Sequence, residues 1–339
     1  MILHNKIDRR LLKEKLMQED FKRITCSFYN FIAIADPQAF RDELYLHLIQ
    51  MQVFGRIYIA QEGINAQISV PEFEYEGFVR FIKDHDYTKN VLLNAAIEDN
   101  GKSFYKLKIL VKYKVLSDGL DNSTFDIYNV GKHLDAISYN QKLHEPNTLV
   151  IDLRNRYEHE VGHFENAILP DVDTYKESIP IIVDMLREKQ PDNIMLYCTG
   201  GIRCEKFSAY LRHQGFENVY QLKGGVINYA HQIKSLELSS KFKGKNFVFD
   251  DRMGERVTDE IIAQCHQCGK PADNHVNCAN NACHLLFIQC EACAEKYVHC
   301  CSSECKDVVQ LPQEIQKQLR KGKLHPNAHH KGRAAISVF

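Results

Sequence analysis

The 339-residue chain contains no tryptophan, carries almost no net charge and has no long hydrophobic run. Each absence removes a class of protein. Lys and Arg number 43 against 44 Asp and Glu, leaving −1, so the chain as a whole lacks the basic footprint of a general nucleic-acid binder. No apolar stretch approaches the roughly 18 residues that a membrane span requires. The opening "MILHNKIDRRLLKEKLMQED" is charged throughout and lacks the apolar core and cleavage site of a secretory signal, which predicts a cytoplasmic protein with no membrane partner. No Gly-x-Gly-x-x-Gly follows a strand, so neither a nucleotide nor a flavin fingerprint is present. Haem and iron–sulfur spacings are missing outside one cysteine-rich stretch. What remains is ordinary for a soluble protein, 44% apolar and 26% charged, with enough chain for two or three domains.

Three segments emerge. In residues 22–116, "ITCSFYNFIAI" is β-rich, and "DPQAFRDELYLHLIQMQ" starts a helix with Asp36 as N-cap and Pro37 at its first position. Phe40, Leu44 and Leu48 give that helix one apolar face. "GRIYIA" and "INAQISV" flank Gln61-Glu62-Gly63 as a hairpin, "PEFEYEGFVRFIKDH" reads as a second helix, and strands follow in "SFYKLKILVKYKVL". The order βαββαβ predicts a ferredoxin-like, or acylphosphatase-like, split-βαβ sheet with two helices on one face. Its open face suits unstacked bases, with Phe28, Tyr29 and Phe31 as candidate platforms, although strand alternation requires at least one of them to be core. After the polar link "SDGLDNSTFDIYN", residues 129–238 alternate short apolar strands with helical patterns, which predicts an α/β domain with a covered parallel sheet. Nine of the twelve cysteines fall between 265 and 305, within a third segment at 250–310. From 315 to 339 there are six Lys and Arg and no acid, which reads as a flexible basic tail.

Residues 197–211, "YCTGGIRCEKFSAYL", place Cys198 at the carboxyl end of a buried strand. Thr199, Gly200, Gly201 and Ile202 let successive backbone N–H groups curl toward the sulfur, and a helix starting near Arg203 adds its positive end. Such surroundings lower a thiol's pKa and produce a nucleophile, with Cys198 and Arg203 as the catalytic pair. Cysteine phosphatases place five residues between Cys and Arg. Here there are four, and the smaller cradle suits a terminal sulfur carried on the cysteine. Cys204, in the first helical turn, reads equally as a small buried residue or as a resolving thiol.

"CTGGIR", "VIDLRNRYEHEVGHFENAILP" and "GFENVYQLKGGVINYA" resemble a rhodanese domain. That resemblance implies a persulfide on Cys198, Arg203 holding the anion, and Asp152 and Arg154 supporting the loop. The usual Trp near the end of the last block is Tyr229 here. Together with the βαββαβ front, the linker "GKNFVFDDRMGERV" and the cysteine-rich stretch, residues 20–310 are similar to the tRNA uridine hydroxylase family. This implies oxygen-dependent conversion of the wobble uridine to 5-hydroxyuridine, with molecular oxygen as co-substrate and the anticodon arm of tRNA as partner. A persulfide-transferring sulfurtransferase and a non-catalytic tRNA-binding adaptor are the rival readings.

Two short motifs compete for attention. "HEVGH" at 159–163 matches a zinc-protease pattern that needs one continuous helix, yet Gly162 interrupts it in what reads as a loop. "HLD" at 133–135 falls in a predicted helix and is too short to define an iron site. The cysteine pairs Cys265/Cys268, Cys278/Cys283, Cys290/Cys293 and Cys300/Cys305 have the spacing of tetrahedral zinc ligands, first pairing with third and second with fourth. Cys301 is left over, and His266, His275, His284 and His299 are possible substitute ligands. Metal-free thiols are the alternative. The charged linker "FVFDDRMGERV" reads either as solvated or as part of the active site or RNA contact.

Overall fold

A computed structural model describes residues 7–321, which pack into two units. One holds residues 7–151, 189–239 and 249–252; the other holds 152–188, 240–248 and 253–321. The first begins with α1 (Arg9–Met17), β1 (Arg23–Phe31), α2 (Pro37–Gln50), β2 (Phe54–Ala60), β3 (Gly63–Pro71), α3 (Tyr75–Asp84), β4 (Asn94–Ala95) and β5 (Leu107–Val111). Helix α2 starts where the sequence says, because Asp36 Oδ1 accepts the N–H groups of Gln38 and Ala39 at 3.0 and 2.9 Å. Its residues Phe40, Leu44 and Leu48 are buried in a core shared with α3 and the sheet. The strand order is β4-β1-β3-β2-β5. Strands β1, β3 and β2 are antiparallel neighbours, as expected for a split βαβ unit. The strand beside β1, however, is not the one read in "SFYKLKILVKYKVL". Asn94 and Ala95 take that place, and β5 extends the opposite edge, parallel to β2. A two-residue pairing without a β-branched side chain leaves no signal in a sequence.

The next elements are β6 (Lys132–Leu134), α4 (Ala136–Lys142), β7 (Thr148–Asp152), α5 (Arg156–Val161), β8 (Gly162–Phe164), α6 (Tyr175–Lys189), β9 (Asn193–Tyr197), α7 (Ile202–His213), β10 (Val219–Leu222) and α8 (Gly225–Ser235). Strands β6-β10-β9-β7 form a sheet in which β6, β10 and β9 are parallel. All five residues of β9 are buried, as a strand covered on both faces requires. His133 lies on a strand rather than in the predicted helix, and Asp135 caps α4 by accepting the Ser138 N–H at 2.8 Å. Nor is the link at 117–129 a solvated spacer, since Asp118, Leu120 and Phe125 are buried.

The second unit adds β11 (Phe242–Asn246), β12 (Glu255–Arg256), β13 (His275–Asn277), β14 (Leu286–Ile288), α9 (Glu291–Tyr297), α10 (Ser303–Gln310) and α11 (Gln313–Arg320). Strand β11 pairs antiparallel with β8, drawing residues 152–188 into this unit. A Cβ on Gly162 would lie 2.1 Å from Lys245 O, so only glycine admits this pairing. "FKGKN" shows little apolar alternation, and the sequence therefore gives no sign of the strand. The segment read as a flexible basic tail begins inside helix α11, where Lys317 pairs with Glu314 at 2.8 Å. Lys323, Lys331 and Arg333 lie outside the described residues. Among the described residues, no helix is long and apolar enough to cross a membrane.

Candidate active site and metal-ligating clusters

Cys198 stands just past β9 and is fully buried. The chain then turns through Gly201, whose φ of +105° suits glycine, and the turn brings the Gly201 N–H to 3.2 Å from Cys198 Sγ. The thiol and N–H of Cys204 also hydrogen-bond to that sulfur. Arg203 is buried beside it, its Nη2 donating to Thr199 Oγ1 at 3.2 Å and its guanidinium 5.9 Å from the ring centroid of Phe249. Burial pushes the Cys198 thiol up. The Cys204 thiol, the Arg203 charge and the N–H groups of Cys204 and Gly201 outweigh that, bringing it down from 9.0 to about 6. Cys198 is thus mainly a thiolate at neutral pH.

The loop is held from two sides within its unit. The start of α8 donates Val226 N–H to Cys198 O at 3.0 Å and Ile227 N–H to Thr199 O at 3.2 Å. A Cβ on Gly225, at φ +66°, would lie 2.5 Å from both carbonyl oxygens, which explains the second glycine of "KGGVINY". On the other side stands the N-terminal sheet. Asn94 Nδ2 donates to Gly200 O at 3.4 Å, and Ile202 packs against Phe31, Ala60 and Val115. Tyr29 Oη donates to Glu205 Oε2 at 3.2 Å, and the same carboxylate meets His133 Nε2 at 2.8 Å. Burial and Glu205 hold the Tyr29 phenol well above 10, so it remains a protonated donor.

Beneath the loop, Lys206 is fully buried between Glu62 Oε2 at 2.8 Å and Asp118 Oδ2 at 2.7 Å. Sequence reasoning missed this triad. A lysine one turn beyond Arg203, in a helix otherwise lined with Cys204, Phe207 and Ala209, was the available signal. Of the three candidate platforms, Phe28 and Phe31 are core, while Tyr29 serves the loop.

In the second unit the cysteines gather into two sets, Cys265/Cys268/Cys290/Cys293 and Cys278/Cys283/Cys301/Cys305, each with its sulfurs within 4.8 Å of one another. The first-with-third, second-with-fourth arrangement is present, with one correction. Cys301 belongs to the second set and Cys300 does not. Cys301 Sγ lies 3.6 Å from Cys283 Sγ and 3.8 Å from Cys305 Sγ, whereas Cys300 turns away and donates to Val298 O at 3.5 Å. A tetrahedral ion with metal–sulfur bonds of about 2.3 Å separates its ligands by about 3.8 Å, so the donor set and spacing fit zinc. All twelve cysteines are free of disulfides. None of the four candidate histidines joins either set, and His266 instead pairs with Glu160 at 2.8 Å.

Three family models match the chain: a UPF0176 acylphosphatase like domain over residues 23–115, a rhodanese-like domain over 135–232 and a rhodanase C-terminal model over 243–306. The solution structure of a rhodanese-like domain from Anabaena sp. is 26% identical, covering 33% of this chain and 78% of that one, with a TM-score of 0.26. The tRNA uridine(34) hydroxylase of Pectobacterium atrosepticum is 51% identical over 323 residues, 95% of this chain and 91% of that protein. Its counterpart in Yersinia pestis is 50% identical over the same shares. The chain belongs to the tRNA uridine(34) hydroxylase family.

In this member of the tRNA uridine(34) hydroxylase family, Asp152 and Arg154 lie in the second unit and pair with each other. Arg154 Nε and Nη2 donate to the two carboxylate oxygens of Asp152 at 2.9 and 2.7 Å. Burial would raise the Asp152 pKa, but Arg154 and His159 hold it well below the usual carboxylate range. Arg154 also donates to Gly162 O at 2.5 Å, fixing the corner between α5 and β8. That corner divides "HEVGH". His159 is on a short helix, its Nδ1–H donating to Asp152 Oδ2 at 2.8 Å; His163 is on a strand, its Nδ1–H donating to His159 O at 2.9 Å. Glu160 faces His266, so the metalloprotease arrangement of two histidines on one helix does not form. Finally, "FVFDDRMGERV" is not a solvated linker. Phe247 and Val248 are buried, and Arg252 donates to Glu98 O at 2.7 Å.

Proposed function

We propose that the protein hydroxylates the wobble uridine, position 34, of tRNA to 5-hydroxyuridine, with molecular oxygen as co-substrate and Cys198 as the essential cysteine. The observation that carries this reading is the 51% identity, across nearly the whole of both chains, to a protein named for that reaction. It is supported by the loop geometry, in which buried Arg203 lies beside Cys198 and the Gly201 N–H meets its sulfur. Arg203 and the N–H groups of Gly201 and Cys204 hold negative charge on the reacting sulfur, as thiolate or persulfide. Cys204 acts as a hydrogen-bond donor to Cys198 rather than as inert filler. Asp152 and Arg154 are positioning residues that brace the α5–β8 corner. The partner is the anticodon arm of tRNA and the location the cytoplasm.

The two cysteine sets would hold zinc as closed four-thiolate sites, a chemistry that supplies folding free energy. A sulfurtransferase passing persulfide sulfur from Cys198 is favoured by one feature, the six-residue cradle from Cys198 to Arg203. Mass analysis of tRNA nucleosides from cells lacking the gene, complemented with wild type or Cys198→Ser, separates these readings. Loss of 5-hydroxyuridine derivatives in the deletion, restored by wild type alone, is the expected result. Loss of a thiolated base would transfer the protein to the sulfurtransferases, and unchanged nucleosides would make it an adaptor.

A further inference from the structure

Helices α2 and α3 pack on one face of the N-terminal sheet, while the other face meets the start of α7 at Tyr29. Strand registers place the residues of this second face in two rows. Tyr29 stands opposite Asn65, Asn65 opposite Tyr58, and Tyr58 opposite Leu110; likewise Ser27, Gln67, Arg56 and Lys108. All eight are partly or fully exposed, whereas the alternating neighbours Phe28, Ala66, Ile57 and Ile109 are at most 2% exposed. Both rows begin at the Cys198 loop. Tyr29 Oη lies 2.9 Å, and Ser27 Oγ 3.9 Å, from where a Cβ would stand on Gly201 and Gly200 respectively.

Three interstrand steps of about 4.8 Å carry the rows roughly 14 Å to the unpaired edge of β5. There Lys112 Nζ lies 5.9 Å from the ring centroid of Tyr58, and Tyr113 is 92% exposed. The segment "KSFYKLKILVKYK", residues 102–114, contains five lysines and no acid. Among the described residues, Arg56, Lys108 and Lys112 form no ion pair with a carboxylate.

From this placement we infer that this second face is an RNA platform that carries the single-stranded nucleotides around the target uridine from the β5 edge to Cys198. The inference rests on the proposed tRNA substrate and deepens it. Arg56, Lys108 and Lys112 meet phosphates, Tyr58 offers a ring for stacking, and the amides of Asn65 and Gln67 reach base edges. A face of cations, amides and a tyrosine ring, without an apolar cluster, suits a nucleic-acid strand better than a protein partner.

The test uses the full chain and a fluorescent anticodon stem–loop RNA with uridine at the wobble position. Tyr58→Ala should weaken binding about five- to a hundredfold, and Tyr58→Phe should retain it. The triple variant Arg56→Gln, Lys108→Gln, Lys112→Gln should bind more weakly, with a log K against log salt slope shallower by about 2, as loss of three single-strand phosphate contacts requires. Both should melt like wild type and keep the Cys198 titration unchanged, so that the weaker binding is not a folding defect. Wild-type affinity and slope in both, alongside a wild type that binds and modifies tRNA, would overturn the platform and leave the hydroxylase reading standing. A wild type that neither binds this RNA nor supports 5-hydroxyuridine in cells would remove both.

Discussion

Replacing Arg203 with Ala takes away the cation that faces Cys198 while leaving the N–H groups and the Cys204 thiol in place. In the native loop Cys198 titrates near 6 rather than 9.0. At pH 7 the sulfur is then about 90% thiolate, against about 1% for an unperturbed thiol. An opposite charge at this range shifts a pKa by about one to three units. The Cys204 thiol lowers the Cys198 pKa more than the Arg203 charge does, so a shift at the low end, about one to two units, is expected. Thiolate at pH 7 should fall to between about a half and a tenth. The assay is the ultraviolet absorbance of thiolate across pH, taken as the difference between each protein and its Cys198→Ser counterpart so that the other cysteines cancel. Stability follows the same titration. Because the folded value lies below the unfolded one, the stabilising contribution is full above about 9 and is lost as pH falls through about 6. An inflection that stays near 6 in Arg203→Ala, or that lies near 9 in wild type, would refute the charge argument for the loop.

Metal analysis of protein purified without chelator should find two zinc ions per chain, with chelation lowering the melting temperature; Cys301→Ser should lose one ion and Cys300→Ser none, and the reverse pattern would reject the revised ligand set. Lys206→Met should destabilise the fold by about 3–5 kcal/mol in urea titrations, because it leaves the buried Glu62 and Asp118 carboxylates facing each other. A loss under about 1 kcal/mol at neutral pH would show that the buried triad does not hold the fold together. Gly225→Ala and Gly215→Ala both place alanine at positive φ, but a Cβ at 225 meets two carbonyl oxygens at 2.5 Å and one at 215 meets nothing within 4 Å. Gly215→Ala should cost about 1 kcal/mol and Gly225→Ala several times more, and equal melting temperatures would contradict the contact argument.

Much of this molecule was legible where the cause of structure is local. Asp36-Pro37 announces α2 because a cap and its helix are adjacent in sequence, and "YCTGGIR" announces a thiolate cradle because the sulfur, its donors and its arginine fall within seven residues. What stayed hidden depends on distant partners. Glu62, Asp118 and Lys206 converge from three segments, and each alone reads as a surface charge. Strand β11 owes its existence to Gly162, some eighty residues earlier, which admits its backbone. Cys300 and Cys301 are adjacent and chemically identical, so only the direction each side chain takes after α9 decides which one faces Cys283. Phe28 and Tyr29 show the same limit on a strand, where alternation separates core from open face but does not say which residue goes where.

The interleaving of the two cysteine sets has a consequence for assembly. An ion joining Cys265/Cys268 to Cys290/Cys293 closes a loop that encloses Cys278 and Cys283, and an ion joining those to Cys301/Cys305 closes a loop that encloses Cys290 and Cys293. The loops overlap, so once one is closed the chain between the ligands of the other is already shortened, and the entropy of the second closure falls. Gln267, between two ligands of the first set, donates to the carbonyl oxygens of Cys300 and Cys301 at 3.0 and 3.1 Å, which ties the geometry of one set to that of the other. The second ion should therefore bind somewhat more tightly than the first, while a chain that lacks a ligand of one set still fills the other. Filling one set thus prepares the chain for the other, and the order of filling becomes part of how the domain assembles.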